Sequence, residues 1–306
     1  MPRIALVLCL LLLAAPALAG IPAPKVVKVN ERVYALLGPE ELPNAGNHGY
    51  MVNTTVILGD QGVILVDTGF TDEIGKRLKQ EIATLTDKPV THIINTHHHG
   101  DHTLGNIAFP GAKVLSSQAC KELVEKTGYD WLAMVESMTG MQFPGTKPVP
   151  ASETYPGESR TEITLQGVRL MLWVPKGSHT AGDLMVYLPE EQVLLAGDIL
   201  VNEITPNFRD ANVHDWIETL TQIREVPTRT IVPGHGPLMS QAQVEAMHAR
   251  MASLYAGIEE AYAEGLMDSD VRGRLDLTEW QQLKHYDENM GGNISRAYLE
   301  IEQANF

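Results

Sequence analysis

A mixed α/β fold with a metal site at its strand ends is predicted from three observations. Short β-branched runs alternate with stretches of helical periodicity along the 306 residues. Several of those runs stop at a His or Asp flanked by glycine. One of them, Thr91-His92-Ile93-Ile94-Asn95, leads into Thr96-His97-His98-His99-Gly100-Asp101-His102, where four side chains have the spacing H-x-H-x-D-H. The length admits one large α/β domain or two small ones. We expect one domain over 20–306, with 241–306 as a helical C-terminal extension.

The elements follow in order. Residues 20–30 read as an extended leader, and Arg32 to Leu37 as a strand. Gly38 to Asn53 holds Pro39, Pro43, Gly46 and Gly49, the signature of a long loop. Such loops often overhang active sites, so His48 is either a substrate contact or a solvent-exposed loop histidine. Thr54–Leu58 and Gly62–Val66 form a hairpin about Gly59-Asp60-Gln61. Ile74, Leu78, Ile82 and Leu85 give a helix over Asp72–Leu85. After the histidine cluster, Thr103 to Asn106 looks like a helix start. A strand at Ala112–Leu115 and a helix from Gln118 to Thr127 come next. In residues 129–160, Trp131, Met134, Met138, Met141 and Phe143 suggest a helix with an apolar face, followed by a Pro/Gly-rich connector, either a flap or wall insertion or plain core. Strands resume from Ile163, at Val168–Val174, Leu184–Leu188 and Val193–Ala196. A helix at Val213–Arg224 and a strand at Thr230–Val232 precede the helical tail.

Composition narrows the partners. A net charge of −15 argues against nucleic acid, whose phosphates need a basic surface. Met1-Pro2-Arg3, the apolar run Ile4–Leu13 and the Ala17-Leu18-Ala19 cleavage site read as a signal peptide over 1–19. The run is short for a span of about 20 residues. We therefore expect a periplasmic or secreted protein with no stable membrane insertion after signal removal. Cys9 would leave with the signal. Cys120 then stands alone, without an intrachain disulfide, as a buried thiol or, alternatively, a metal ligand.

The chemistry resides in His and Asp residues at strand ends. Three imidazoles and a carboxylate in the 97–102 cluster can ligate one or two first-row metals. In an extended loop His97 and His99 point the same way, while Asp101 and His102 diverge. Later strands deliver His179 (Ser178-His179-Thr180), Asp198 after Val193–Gly197, and His235 (Gly234-His235-Gly236). Neighbouring glycines permit tight turns there.

This ordered set resembles the metallo-β-lactamase superfamily. The matching pieces are VDTG at 66–69, THHHGDH at 96–102, SHT at 178–180, GD at 197–198 and GHG at 234–236, covering about residues 30–240. The resemblance implies an αββα sandwich with two zinc ions at one edge of its sheets. It places His97, His99 and His179 on the first zinc, Asp101, His102 and His235 on the second, and Asp198 between them. Asp67 would orient a ligand, and His98 would pack or hydrogen-bond. Zinc β-lactamases of two subclasses carry Cys or Ser where Asp198 stands, so the bridging Asp looks more like the thioesterase, lactonase and general hydrolase members. THHHGDHTLGN is similar to glyoxalase II, without its glutathione-binding pattern. Thr86-Asp87-Lys88-Pro89 and Asn293-Ile294-Ser295-Arg296-Ala297-Tyr298-Leu299-Glu300 resemble quinoprotein relay system zinc metallohydrolases.

The resemblance implies an exported hydrolase of a small-molecule acyl substrate (amide, lactam, lactone or thioester), attacked by a metal-bridging hydroxide, with Asp101 and Asp198 as the catalytic carboxylates. A β-lactamase is the sharpest version. A metal-binding relay or maturation factor and a di-iron redox protein are the competing readings. Neither a flavin nor a rubredoxin domain pattern accompanies the ligand set.

Overall fold

The computed structural model describes residues 20–305, so the signal-peptide reading of 1–19 lies outside the described residues. Two sheets stack face to face. The first holds β1 (Lys25–Lys28), β2 (Val33–Leu37), β3 (Thr54–Leu58), β4 (Val63–Val66), β5 (Val90–Ile94), β6 (Lys113–Ser117) and β7 (Glu153–Tyr155), side by side in sequence order. β1 to β4 pair antiparallel, with tight turns after β1 and β3 and the long 38–53 loop between β2 and β3. Longer crossovers make β4 to β7 parallel. They carry α1 (Asp72–Leu85), the short α2 (Gly100–Thr103) and α3 (Gln118–Thr139).

The second sheet is built of β8 (Ser159–Leu165), β9 (Val168–Val174), β10 (Met185–Leu188), β11 (Val193–Val201) and β12 (Thr230–His235), ordered β12-β11-β10-β9-β8. Only β11 and β12 are parallel, across α4 (Val213–Arg224). The chain ends in α5 (Gln241–Ala263), the short α6 (Asp268–Val271) and α7 (Tyr286–Ala304).

Strand periodicity sorts the apolar side chains into three layers. Ile57, Ile64, Ile94 and Leu115 meet Leu170, Leu172, Val186 and Leu195 between the sheets. Their neighbours Val56, Leu65 and Ile93 face outward onto Ile74, Leu78 and Ile82 of α1. On the far side Leu194 and Ile231 pack on Trp216 and Leu220 of α4, Val244 and Met247 of α5, and Ile294 of α7. Each such fully buried aliphatic side chain contributes roughly 1.5–3 kcal/mol. The αββα sandwich is therefore what these residues build.

Several local readings change. The 20–30 segment contains β1, and α3 runs unbroken through Thr127 to a left-handed Gly140, so the two expected helical pieces are one. Gly128 does not break it, because a Cβ there would meet the ring of Pro148; the glycine admits a close packing partner. The helix expected near Thr103 begins at Gly100 and so carries Asp101 and His102, passing into a 3-10 turn over Leu104–Ala108. Asp198 does not end its strand, since β11 continues to Val201 through register shifts on either side of Gly197.

Candidate metal centre

His97, His99, Asp101, His102, His179, Asp198 and His235 converge at one edge of the sandwich, where β5, β11 and β12 end or bulge. Gly197 adopts φ +52 inside β11, and the irregularity there turns Asp198 into the site. Gly234 lies so close that a Cβ would overlap Asp198 Oδ1. Gly100 lets the first turn of α2 approach the ring of Phe70 and the Cβ of Trp131.

The donor atoms fall into two groups. His97, His99, His179 and Asp198 can converge on one ion, and Asp101, His102 and His235 on another. Asp198 reaches both. Its Oδ1 lies 3.3 Å from His102 Nε2, while its Oδ2 lies 3.3 Å from His235 Nε2 and 3.6 Å from His179 Nε2. Asp101 Oδ2 lies 3.3 Å from His102 Nε2 and 3.2 Å from His235 Nε2.

One nitrogen of each histidine is anchored, which aims the other inward. His102 Nδ1 sits 2.8 Å from Asp67 Oδ2, and His99 Nε2 2.9 Å from Asp210 Oδ2. His179 Nδ1 lies 3.1 Å from the Asn207 carbonyl oxygen, His235 Nδ1 3.0 Å from that of Met51, and His97 Nδ1 3.1 Å from Thr96 Oγ1. The inward atoms His97 Nε2, His102 Nε2 and Asp198 Oδ1 are buried without a hydrogen-bond partner among the described residues. Buried polar atoms are otherwise paired, so this donor set fits metal ions.

Electrostatics follow from the crowding. Burial lowers His97 well below the ordinary imidazole value and brings His179 down to about 3, with neighbouring histidines adding to both shifts. Burial works the same way on His102 and His235, but the carboxylates outweigh it. Asp101, Asp198 and Asp67 hold His102 well up, and Asp198 with Asp101 raises His235 to about 10. Against burial, His102 and His235 hold both carboxyls well below the usual range.

Above the centre lies a cleft of about 260 Å³. One wall is apolar, with Leu42, Pro43 and Met51 from the long loop, Phe70, and Trp131, Met134 and Met138 from α3. The overhang and the wall role of the 129–160 region are thus both present. Trp131 stacks on His99 with ring centroids 4.5 Å apart, and the Arg209 guanidinium covers Trp131 at 4.6 Å. The other wall holds Thr205, Asn207, Arg209, His285 and Asn289. A larger surface cleft of about 610 Å³, lined by Arg160, Trp173 and Lys176, contains none of the seven residues.

His48 is neither of the alternatives drawn from sequence. It is half-buried outside the cleft, with Nδ1 3.0 Å from Glu73 Oε2 of α1. Cys120 is a free buried thiol, pushed up to about 12 by burial, and it belongs to none of the metal-binding groups. His98 is buried beside His99 with Nδ1 unpartnered; burial and His99 bring it down to about 3. Sequence reasoning missed Asp210, Asn207 and Met51. Two of the three act through backbone carbonyls, which no side-chain motif records. Asp210 is an ordinary loop residue until folding sets it against His99.

The profile of the metallo-beta-lactamase superfamily matches residues 48–235. A metallo-beta-lactamase type 2 from Bacillus cereus is 29% identical over 199 residues, taking in 62% of this chain and 67% of that protein. The 2,4-dinitroanisole O-demethylase subunit alpha of Nocardioides sp. (strain JS1661) is 28% identical over 197 residues, or 63% of this chain and 55% of its own length. The match thus spans about two thirds of one relative and about half of the other. Among solved structures, a metallo-beta-lactamase from Pontibacter korlensis superposes with a TM-score of 0.59 at 22% identity, over 75% of this chain and 99% of that one. A stereoselective inverting sec-alkylsulfatase from Pseudomonas sp. gives 0.69 at 17% identity, over 90% of this chain and 50% of that one. These two show the fold. With the profile spanning more than half of the sequence and the His/Asp groups converging at the sheet edge, the chain belongs to the metallo-beta-lactamase superfamily and is a metallo-hydrolase of that family.

Proposed function

We propose that the chain is an exported hydrolase that holds two zinc ions and cleaves a small acyl compound. The observation that carries this reading is Asp198, whose two oxygens face nitrogens of both histidine groups. His97, His99 and His179 would hold the first zinc and Asp101, His102 and His235 the second, with Asp198 placed to serve both groups. Bound there, zinc supplies a Lewis acid for the carbonyl oxygen and acidifies water toward neutral pH.

The remaining work belongs to the chain. Asp101 engages His102 and His235 through Oδ2 and makes no hydrogen bond through Oδ1 among the described residues, so Oδ1 is available to accept a hydrogen bond that orients the attacking water. Phe70, Trp131, Met134 and Met138 give the acyl body an apolar bed, and excluding water there strengthens the polar contacts beneath. The relatives named metallo-beta-lactamase type 2 support a β-lactam ring as one acyl form. Asp198, where β-lactamases carry Cys or Ser, supports lactones and thioesters beside it. Export rests on the 1–19 pattern, which the N-terminal mass of protein from the periplasmic fraction tests.

The test is turnover by zinc-loaded protein of a chromogenic cephalosporin, an acyl-homoserine lactone and an acyl thioester. The reading predicts cleavage of at least one and its loss in Asp198→Ala. No cleavage of any would contradict it.

A further inference from the structure

The segment Asn293–Glu300 lies outside the matched residues 48–235 and contributes no metal-binding side chain. Yet one polar stripe of α7 is fully engaged. Asn289, Asn293, Arg296 and Glu300 recur at helical spacing, so they share a face beside the buried Met290, Ile294, Ala297 and Ile301.

All four bind the backbone of one loop. Asn289 Nδ2 donates to the Thr205 carbonyl at 3.0 Å. Asn293 grips both sides, with Nδ2 donating to the Pro206 carbonyl and Oδ1 accepting from the Phe208 N–H, each at 2.8 Å. Arg296 Nε donates to the Ala211 carbonyl at 2.8 Å. Glu300 accepts from the N–H groups of Val213 and His214 at 2.8 and 2.9 Å, completing the first turn of α4 beside the Asn212 cap on the Asp215 N–H. Between these grips sit the two groups that aim the first triad: the Asn207 carbonyl on His179 and the Asp210 carboxylate on His99.

We propose that this face of α7 is the positioning element of the His97–His99–His179 site. It fixes the 205–214 loop from behind, so that His179 and His99 keep their inward nitrogens, Nε2 and Nδ1, 3.1 Å apart. The Asp101–His102–His235 group has separate supports in Asp67 and the Met51 carbonyl, neither of them hydrogen-bonded to α7 among the described residues. The C-terminal helix therefore acts on one metal position and leaves the other alone. This inference rests on the ligand assignment proposed above.

The experiment is stepwise zinc titration of the full chain against a chromophoric chelator. Variants are Asn293→Ala, Arg296→Ala and Glu300→Gln, with Leu299→Ser as a control on an exposed position of the same helix. Asp210→Asn identifies the binding step that belongs to the first triad. We expect the three α7 variants to weaken that same step by about 10- to 100-fold, the usual cost of losing a ligand's outer partner. The other step and the Leu299→Ser titration should match wild type. Should Arg296→Ala fail to fold, Glu300→Gln removes only one of the two backbone contacts, since an amide accepts through its single oxygen, and still reads the effect. Two unchanged steps in folded α7 variants, or equal weakening of both, would overturn the inference alone. A wild-type chain that binds no zinc would overturn the ligand assignment first, and the inference with it.

Discussion

Asp67 Oδ2 lies 2.8 Å from His102 Nδ1, and this contact aims His102 Nε2 at Asp101 and Asp198. Asp67 pays for the pose with a left-handed backbone, φ 61, uncommon for a residue with a side chain. The Thr96 amide and hydroxyl hold its two oxygens at 2.9 and 2.8 Å. Asp67→Asn keeps the shape and tolerates the left-handed region. It should fold normally and lower the affinity of the Asp101–His102–His235 position by about 10- to 100-fold. Zinc titration checks this, and wild-type affinity at both positions would refute it.

Gly234 is required by contact, with no need of a special φ. A methyl group there overlaps Asp198 Oδ1 and comes within 2.9 Å of the Asp198 amide nitrogen. Gly234→Ala should cost about 1–3 kcal/mol of stability, as overpacking does, and displace the carboxylate, removing most hydrolysis. Gly273→Ala, with open space around it, serves as the control. Equal rates in the two variants would be the contrary outcome.

Metal-free protein should show the imprint of its charges. His102 and His235 have raised values, so their contribution to stability is full below the ordinary imidazole value of 6.5 and is lost as pH rises toward about 10 for His235. Asp101 and Asp198 have lowered values, so theirs is present above the ordinary carboxylate value of 3.8 and is lost only in stronger acid. The melting temperature of the metal-free chain should therefore fall between pH 6.5 and 10. Filling the Asp101–His102–His235 position at pH 8 should release more protons than filling the other position, where His97 and His179 are already neutral. Calorimetry in buffers of different ionisation enthalpy separates the two, and proton-free binding at both positions would contradict the charge assignment.

Cys120 is buried and its thiol is pushed up to about 12. Because the thiolate is the reactive form, a disulfide reagent should leave the native chain untouched and label it only in denaturant. Rapid labelling of native protein would show that α3 does not hold Cys120 as described.

The sequence made the strands and ligands easier to read than their supports. β3, β4 and α1 stand where β-branched runs and the Ile74-Leu78-Ile82 spacing put them, because one face of each must be buried. The convergence of seven His and Asp side chains was legible because glycines and strand ends mark the segments that carry them. β1 and β7 were missed because Lys25–Lys28 and Glu153–Tyr155 are edge strands with little apolar signal. The unity of α3 was missed because Gly128, read alone, looks like a break, and only the packing of Pro148 explains it. Asp210 and the α7 stripe were invisible because their partners are backbone atoms or residues more than 80 positions away.

The proposed function requires the seven side chains to hold two metal ions with Asp198 between them. Elemental analysis of zinc per chain after gel filtration, for wild type and Asp198→Ala, tests it most directly. Two zinc ions are expected in wild type, with loss of tightly held metal in the variant. A wild-type chain with none or one, or a variant that keeps both, would contradict it.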